Sequence, residues 1–169
     1  MTNLAPYPEW GGPRLADPRQ ATLDQLESGL TNIVASEGPI LKDRLFALYA
    51  RAADLGRIYD LTRTKLENGL KQALKNKSIT ADTDNFGEFE ELSLRLPDQP
   101  TVIARERGSR TLHEIPAPEI AELMMEIRLE HELISKEDLF RAVLKTYELK
   151  RLTKATEERL TAILETWIM

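Results

Sequence analysis

The stretch LESGLTNIVASEGPILKDRLFALYARAADLGRIYDLTRTKLENGLKQAL, Leu26–Leu74, decides the fold, because the chain carries its pattern twice. Moved forward by 94 positions without a gap, Leu26 falls on Ile120 and Leu74 on Ile168, over the stretch IAELMMEIRLEHELISKEDLFRAVLKTYELKRLTKATEERLTAILETWI. Ile33 meets Ile127, Ile40 meets Ile134, Leu45-Phe46 meets Leu139-Phe140, Leu55 meets Leu149, Leu66 meets Leu160 and Leu70 meets Leu164. Lys42, Arg57 and Thr62 meet identical residues at Lys136, Arg151 and Thr156. Stretches that keep one register through several helices and their turns are expected to share a fold, so the chain reads as two copies of a small helical module.

Within the first copy, Thr22 and Gln25 form a T-x-x-Q capping pattern, and Leu23, Leu26, Leu30, Ile33 and Val34 recur at helical spacing. Glu37-Gly38-Pro39 ends that helix, since proline cannot continue it. A second helix, about 41–53, turns Leu45, Leu48 and either Tyr49 or Phe46 inward, and Asp54-Leu55-Gly56 is a tight turn. A third, about 58–75, turns Thr62, Leu66, Leu70 and Ala73 inward. Short helices joined by compact turns form a helix-turn-helix pattern. Ile79–Ala81, Leu92–Leu96 and Val102–Arg105 read as short strands, with Leu92, Leu94 and Leu96 alternating against Ser93 and Arg95.

The expected fold is therefore mainly α with a small β-hairpin wing, a tandem winged-helix or helix-turn-helix-like duplication. Residues 1–21, with Pro6, Pro8, Pro13 and Pro18, form an extended Pro/Gly-rich arm. Module one spans 22–108 with its wing. Module two spans 109–169 and is wingless, with helices at about 119–130 and 152–167 and a helix between them capped by Ser135. Tyr7 and Trp10 either pin the arm to the body or offer a hook or stacking platform to a partner. The wing tip, 85–91, is acidic through Glu88, Glu90 and Glu91, which read as a solvated turn rather than a cation site because no glycine-pivoted ligand loop accompanies them.

Composition narrows the function. The 169 residues suffice for one domain or two small ones, with 41% hydrophobic and 30% charged residues. No apolar run approaches the roughly 20 residues that span a bilayer, and the first residues lack a signal-type apolar segment. A cytoplasmic protein without membrane partners is expected. Zero cysteines exclude disulfides, thiolate metal sites and cysteine catalysis. His113 and His131 are the sole histidines, one in a linker and one at a helix end, and neither carries a catalytic or metal reading. No G-x-S-x-G or H-E-x-x-H motif is present, so the chain reads as non-enzymatic with no cofactor.

The strings EGPILKDRLFALYARAADLGRIYDLTRTKLENGL, EIPAPEIAELM and DLFRAVLKTYELKRLTKATEERL resemble a bacterial domain of unknown function at the C-terminal end of large superfamily-one helicase-like proteins. The match covers roughly residues 23 to 165 and rests on an E-G-P turn, an E-I-P-x-x-E linker and an L-F-R-x-V-L segment, which are structural motifs. The resemblance implies a helical domain accessory to DNA transactions and brings no catalytic residues. The nucleotide-binding G-x-x-x-x-G-K-[ST] is missing, so no ATPase activity follows.

With Leu66 facing the core, helical geometry puts Thr64, Asn68, Lys71 and Lys75 on the exposed face of the third helix, near Arg57 and Lys77. That mix suits phosphate contacts with polar reading of base edges by Asn68, or simply a solvated face. Module two offers Glu158, Ala162 and Glu165 at the same register, which would repel phosphate. Glu158, Glu165 and Trp167 are its candidate partner-binding residues. The leading expectation is a nucleic-acid-associated module in which module one contacts DNA and module two docks a protein such as a helicase or nuclease. The alternative is a protein-binding adaptor or oligomerisation scaffold that never touches nucleic acid.

Overall fold

The computed structural model describes residues 3–169, and residues 1 and 2 of the expected arm lie outside the described residues. About half of the chain is helical, with one small three-stranded antiparallel sheet, and its residues fall into two compact units. No helix among the described residues is long and apolar enough to cross a membrane.

The first unit comprises Pro8–Asp82 and Leu92–Thr101. Its first helix, α1 (Leu23–Glu37), starts on the expected capping box: the Thr22 hydroxyl accepts from Gln25 N–H at 3.1 Å and the Gln25 side chain accepts from Thr22 N–H at 2.9 Å. A two-residue strand, β1 (Ile40–Leu41), leads into α2 (Lys42–Ala52), and α3 (Asp60–Lys75) follows. Between α2 and α3 the chain reverses at Asp54, which takes φ 61°. Leu55 N–H reaches the Ala50 carbonyl at 2.9 Å and so closes the left-handed cap that ends many helices. Leu26, Leu30, Ile33, Leu45, Phe46, Tyr49, Leu66 and Leu70 fill the core. Both Phe46 and Tyr49 are inside, which resolves the open alternative on α2. Gly69 lets α3 come close to α1, for a Cβ there would lie 2.6 Å from that of Leu26.

The second unit comprises the arm up to Tyr7, Thr83–Glu91 and Val102–Met169. A short 3-10 turn at Leu112–Glu114 precedes α4 (Ala117–Glu130), α5 (Lys136–Thr146) and α6 (Lys154–Ile163), which widens into a π turn over Leu164–Ile168. Ser135 caps α5 as expected, accepting from Asp138 N–H at 3.1 Å. The three helices begin 94 positions after α1, α2 and α3, at 117 against 23, 136 against 42 and 154 against 60. The turn after α5 repeats the one after α2: Glu148 takes φ 58°, and Leu149 N–H meets the Leu144 carbonyl at 2.8 Å. Ile120, Met124, Ile127, Leu139, Phe140, Leu160 and Ile163 form this core.

The hairpin differs from its sequence reading in extent and in its partners. Its strands are longer, β2 (Thr80–Phe86) and β3 (Phe89–Arg95), in the order β1-β3-β2, and only Gly87-Glu88 form the turn. The division between units falls within it, so the end of the hairpin belongs to the compact unit around α4–α6. Phe86 is buried there, stacked on Phe89 at 5.3 Å and 5.5 Å from Trp167. Glu91 is not a solvated tip residue, because it is paired with Arg159 at 2.8 Å. Val102–Arg105 is no strand: it makes one isolated parallel bridge, Ala5 to Arg105, and the Arg105 side chain is drawn inward by a carboxylate.

Buried guanidiniums distinguish both units. Arg44 meets Glu37 at 2.9 Å in the first. In the second, Arg105 and Arg110 share Glu119 at 2.8 and 2.7 Å, with the Tyr7 ring 5.0 and 4.1 Å from their guanidinium carbons. Tyr7 therefore pins the arm. Trp10 does the same in the first unit, where its backbone N–H donates to Glu37 and its indole N–H to Asn32, both at 2.8 Å. All three partners at the Glu119 site are almost fully buried. Removing one member of such a cluster leaves dehydrated charge behind. Glu119→Gln should lower unfolding free energy by about 3 kcal/mol or more in urea denaturation. A loss below about 1 kcal/mol, the range of an exposed pair, would contradict this account of the cluster.

Candidate functional site

The candidate residues lie on two helix faces, one in each unit. On α3, Thr62, Leu66, Gly69, Leu70 and Ala73 face inward, and this register leaves Thr64, Asn68, Lys71 and Lys75 exposed along the opposite side. Arg57 is exposed in the loop before the helix, and Lys77, with φ 61°, is exposed just after it. All six expected residues are thus solvent-facing. Lys42 pairs with Glu67 at 2.8 Å and Arg63 with Asp43 at 3.8 Å, while Arg51 and Lys65 of the same unit form no ion pair among the described residues. Among the described residues, Arg57, Lys71, Lys75 and Lys77 form no ion pair. Lys75 also sits in the last turn, where the helix dipole favours positive charge.

The C-terminal end of α3 is fastened to α1 by two carboxylates, Asp24, which accepts from the Gln72 side-chain amide at 2.8 Å, and Glu27. Glu27 accepts from Ser78 Oγ at 2.6 Å and from the Gln72 and Asn76 side-chain amides at 2.8 Å each. These donors, Ser78 foremost, hold its carboxyl below the ordinary glutamate value. The segment bearing Lys75 and Lys77 is positioned by this junction.

Sequence reasoning passed over the other end of α3. Tyr59 and Leu61 are 69% and 58% exposed, and Tyr59 borders a shallow hollow with Arg57 and Arg19. Arg19 is already held by Asp17 at 2.6 Å. The available signal was that positions 59 and 61 fall outside the inward register of α3.

On α6 the inward residues are Thr156, Arg159, Leu160 and Ile163. The outward ones, Glu157, Glu158, Thr161 and Glu165, line an open groove of about 480 Å³ together with Glu88 and Phe89 of the hairpin. Ala162 contributes to its floor, and Lys154 is the one cation along it. Two of the three expected partner residues, Glu158 and Glu165, are thus brought together. Trp167 is half-buried against Phe86 and belongs partly to the core. Glu88 was read as a turn residue alone, because nothing local in the sequence reveals that its turn lies beside α6.

His113 is exposed in the 3-10 turn, and partial burial and then the Arg159 guanidinium push its imidazole below the ordinary value, against the pull of Glu91. His131 is exposed at the end of α4. Among the described residues, no three His, Asp or Glu side chains stand where they could hold a metal ion together. No family model matches the chain, and no match was found among the curated proteins or the solved structures.

The Glu27 junction makes a pH prediction. Its folded pKa lies below its unfolded one, so its contribution is fully present above the ordinary glutamate value of 4.5 and is lost as pH falls through the folded value. Glu27→Gln should flatten that acid limb in urea titrations run from neutral pH downward. An unchanged limb would remove Glu27 as its source.

Proposed function

We propose that the chain is a non-catalytic, nucleic-acid-associated module that contacts DNA through the exposed face of α3 and docks a protein through α6. The observation that carries the DNA half is the row of unpaired cations at Arg57, Lys71, Lys75 and Lys77 around Asn68. Lysines supply sequence-independent attraction to phosphates, and an asparagine between them can meet base edges. From Thr64 to Lys75 the face is about 16 Å long at 1.5 Å per residue, a span a major groove accommodates.

The order α1-β1-α2-α3-β2-β3, with the sheet ordered β1-β3-β2, is compatible with a winged helix and supports reading α3 as a recognition helix. The common 94-residue spacing of three helix starts and of the Asp54 and Glu148 turns supports a tandem duplication. In this reading the wing does not grip phosphate, since its end is built into the other unit and carries exposed Glu88. The resemblance to a helicase-associated domain supports a helicase- or nuclease-like protein as the partner of α6.

A second reading, a protein-binding scaffold without nucleic acid, is favoured by the net charge of −5 and by the exposed Tyr59 and Leu61. Fluorescence anisotropy separates the two. A labelled mixed-sequence duplex should bind with salt-dependent affinity. Lys71→Ala/Lys75→Ala should weaken that binding and reduce the magnitude of the log–log salt slope by about 2. Absence of binding at low salt, or an unchanged slope, would favour the scaffold.

A further inference from the structure

The groove along α6 has features beyond its acidity. One wall is α6 and the other is the hairpin turn, where Gly87 takes φ 58° and approaches Ala162 so closely that an added Cβ would lie 3.2 Å from the alanine methyl. The floor is apolar, formed by Phe89 and Ala162, and Phe89 is backed by Phe86. Glu88, Glu157, Glu158 and Glu165 rim it, and none of the four forms an ion pair among the described residues. By contrast, Glu91 on the same hairpin is matched by Arg159. The lone cation, Lys154, leaves the rim with an excess of negative charge over an apolar surface.

From this charge complementarity we infer that the groove docks an arginine-bearing segment of a partner protein. Arginine fits both parts of the surface: its guanidinium can fork onto a carboxylate and also lie over an aromatic face such as Phe89. Glu158 and Glu165 are seven helix positions apart, about 10 Å along α6. Two arginines three positions apart on a polyproline II segment face the same side and lie about 9 Å apart, a comparable span. A nucleic acid, by contrast, would meet four carboxylates. The inference rests on the proposed docking role of α6 and specifies the chemistry of the partner.

Anisotropy of the full chain with a short labelled peptide tests it, the peptide carrying two arginines three positions apart and a leucine between them. The affinity should fall roughly tenfold in Glu158→Gln/Glu165→Gln and stay unchanged in Lys71→Ala/Lys75→Ala. Both pairs of substitutions are at exposed positions, and circular dichroism checks that the helices persist. A companion peptide with glutamine in place of arginine should not bind. Equal binding of that companion would overturn the arginine assignment while leaving α6 as a docking face. No binding of either peptide at low salt, or equal binding by the glutamate variant, would overturn the inference. The duplex titration on the same preparations reports separately on α3.

Discussion

A guanidinium cannot be taken out of water alone, and much of this chain is arranged around that constraint. Arg44, Arg105, Arg110 and Arg159 are each at most 5% exposed, and each is met by a glutamate. Arg159 also donates to the Leu112 and Ile115 carbonyls at 2.9 and 2.7 Å, so it ties α6 to the 3-10 turn before α4. Arg105 and Arg110 bring Tyr7 of the arm into the second unit, and Glu37 serves both Arg44 and the backbone of Trp10. Glu37, Glu91 and Glu119 are therefore committed to the fold. The charges that remain unpaired on α3 and α6 are available for function.

Those remaining charges differ in sign between helices whose interiors agree. Under the proposed duplication, Thr62 and Leu66 of α3 correspond to Thr156 and Leu160 of α6, all buried. On the outside, Thr64 corresponds to Glu158 and Lys71 to Glu165. The residues that pack each helix on its neighbours are alike while those on the solvent face differ. Such a pattern fits two modules that share a fold and meet partners of opposite charge. The equivalent left-handed residues, Asp54 and Glu148, fix the preceding turn in both. Neither is glycine, although that conformation is easiest for glycine.

What could be read in the sequence was local. The Thr22 capping box, the Ser135 cap and the Glu37-Gly38-Pro39 stop depend on residues within a few positions of one another, and the helices begin and end near them. The inward face of α3 followed from periodicity, whereas on α6 Ala162, placed by the register of the first copy on the exposed face, is buried. The hairpin was harder, because its end is decided by partners distant in sequence: Glu91 pairs with Arg159, 68 positions away. Phe86 lies within 85–91, which reads as a turn, but the core of the second unit takes it in. Val102–Arg105 has the composition of a strand, but the charge on Arg105 had a buried destination that strand propensity does not register. The acidic rim on α6 was half visible, as Glu158 and Glu165, whereas the opposing wall with Glu88 and Phe89 was not.

An NMR titration tests residue by residue whether the two helix faces meet different partners. The amide shifts of the ¹⁵N-labelled chain would be followed as an unlabelled mixed-sequence duplex is added. The account predicts that the changes concentrate at Arg57, Thr64, Asn68, Lys71, Lys75 and Lys77, with Glu157, Glu158 and Glu165 unmoved. Changes centred on α6, or spread evenly over both faces, would contradict it.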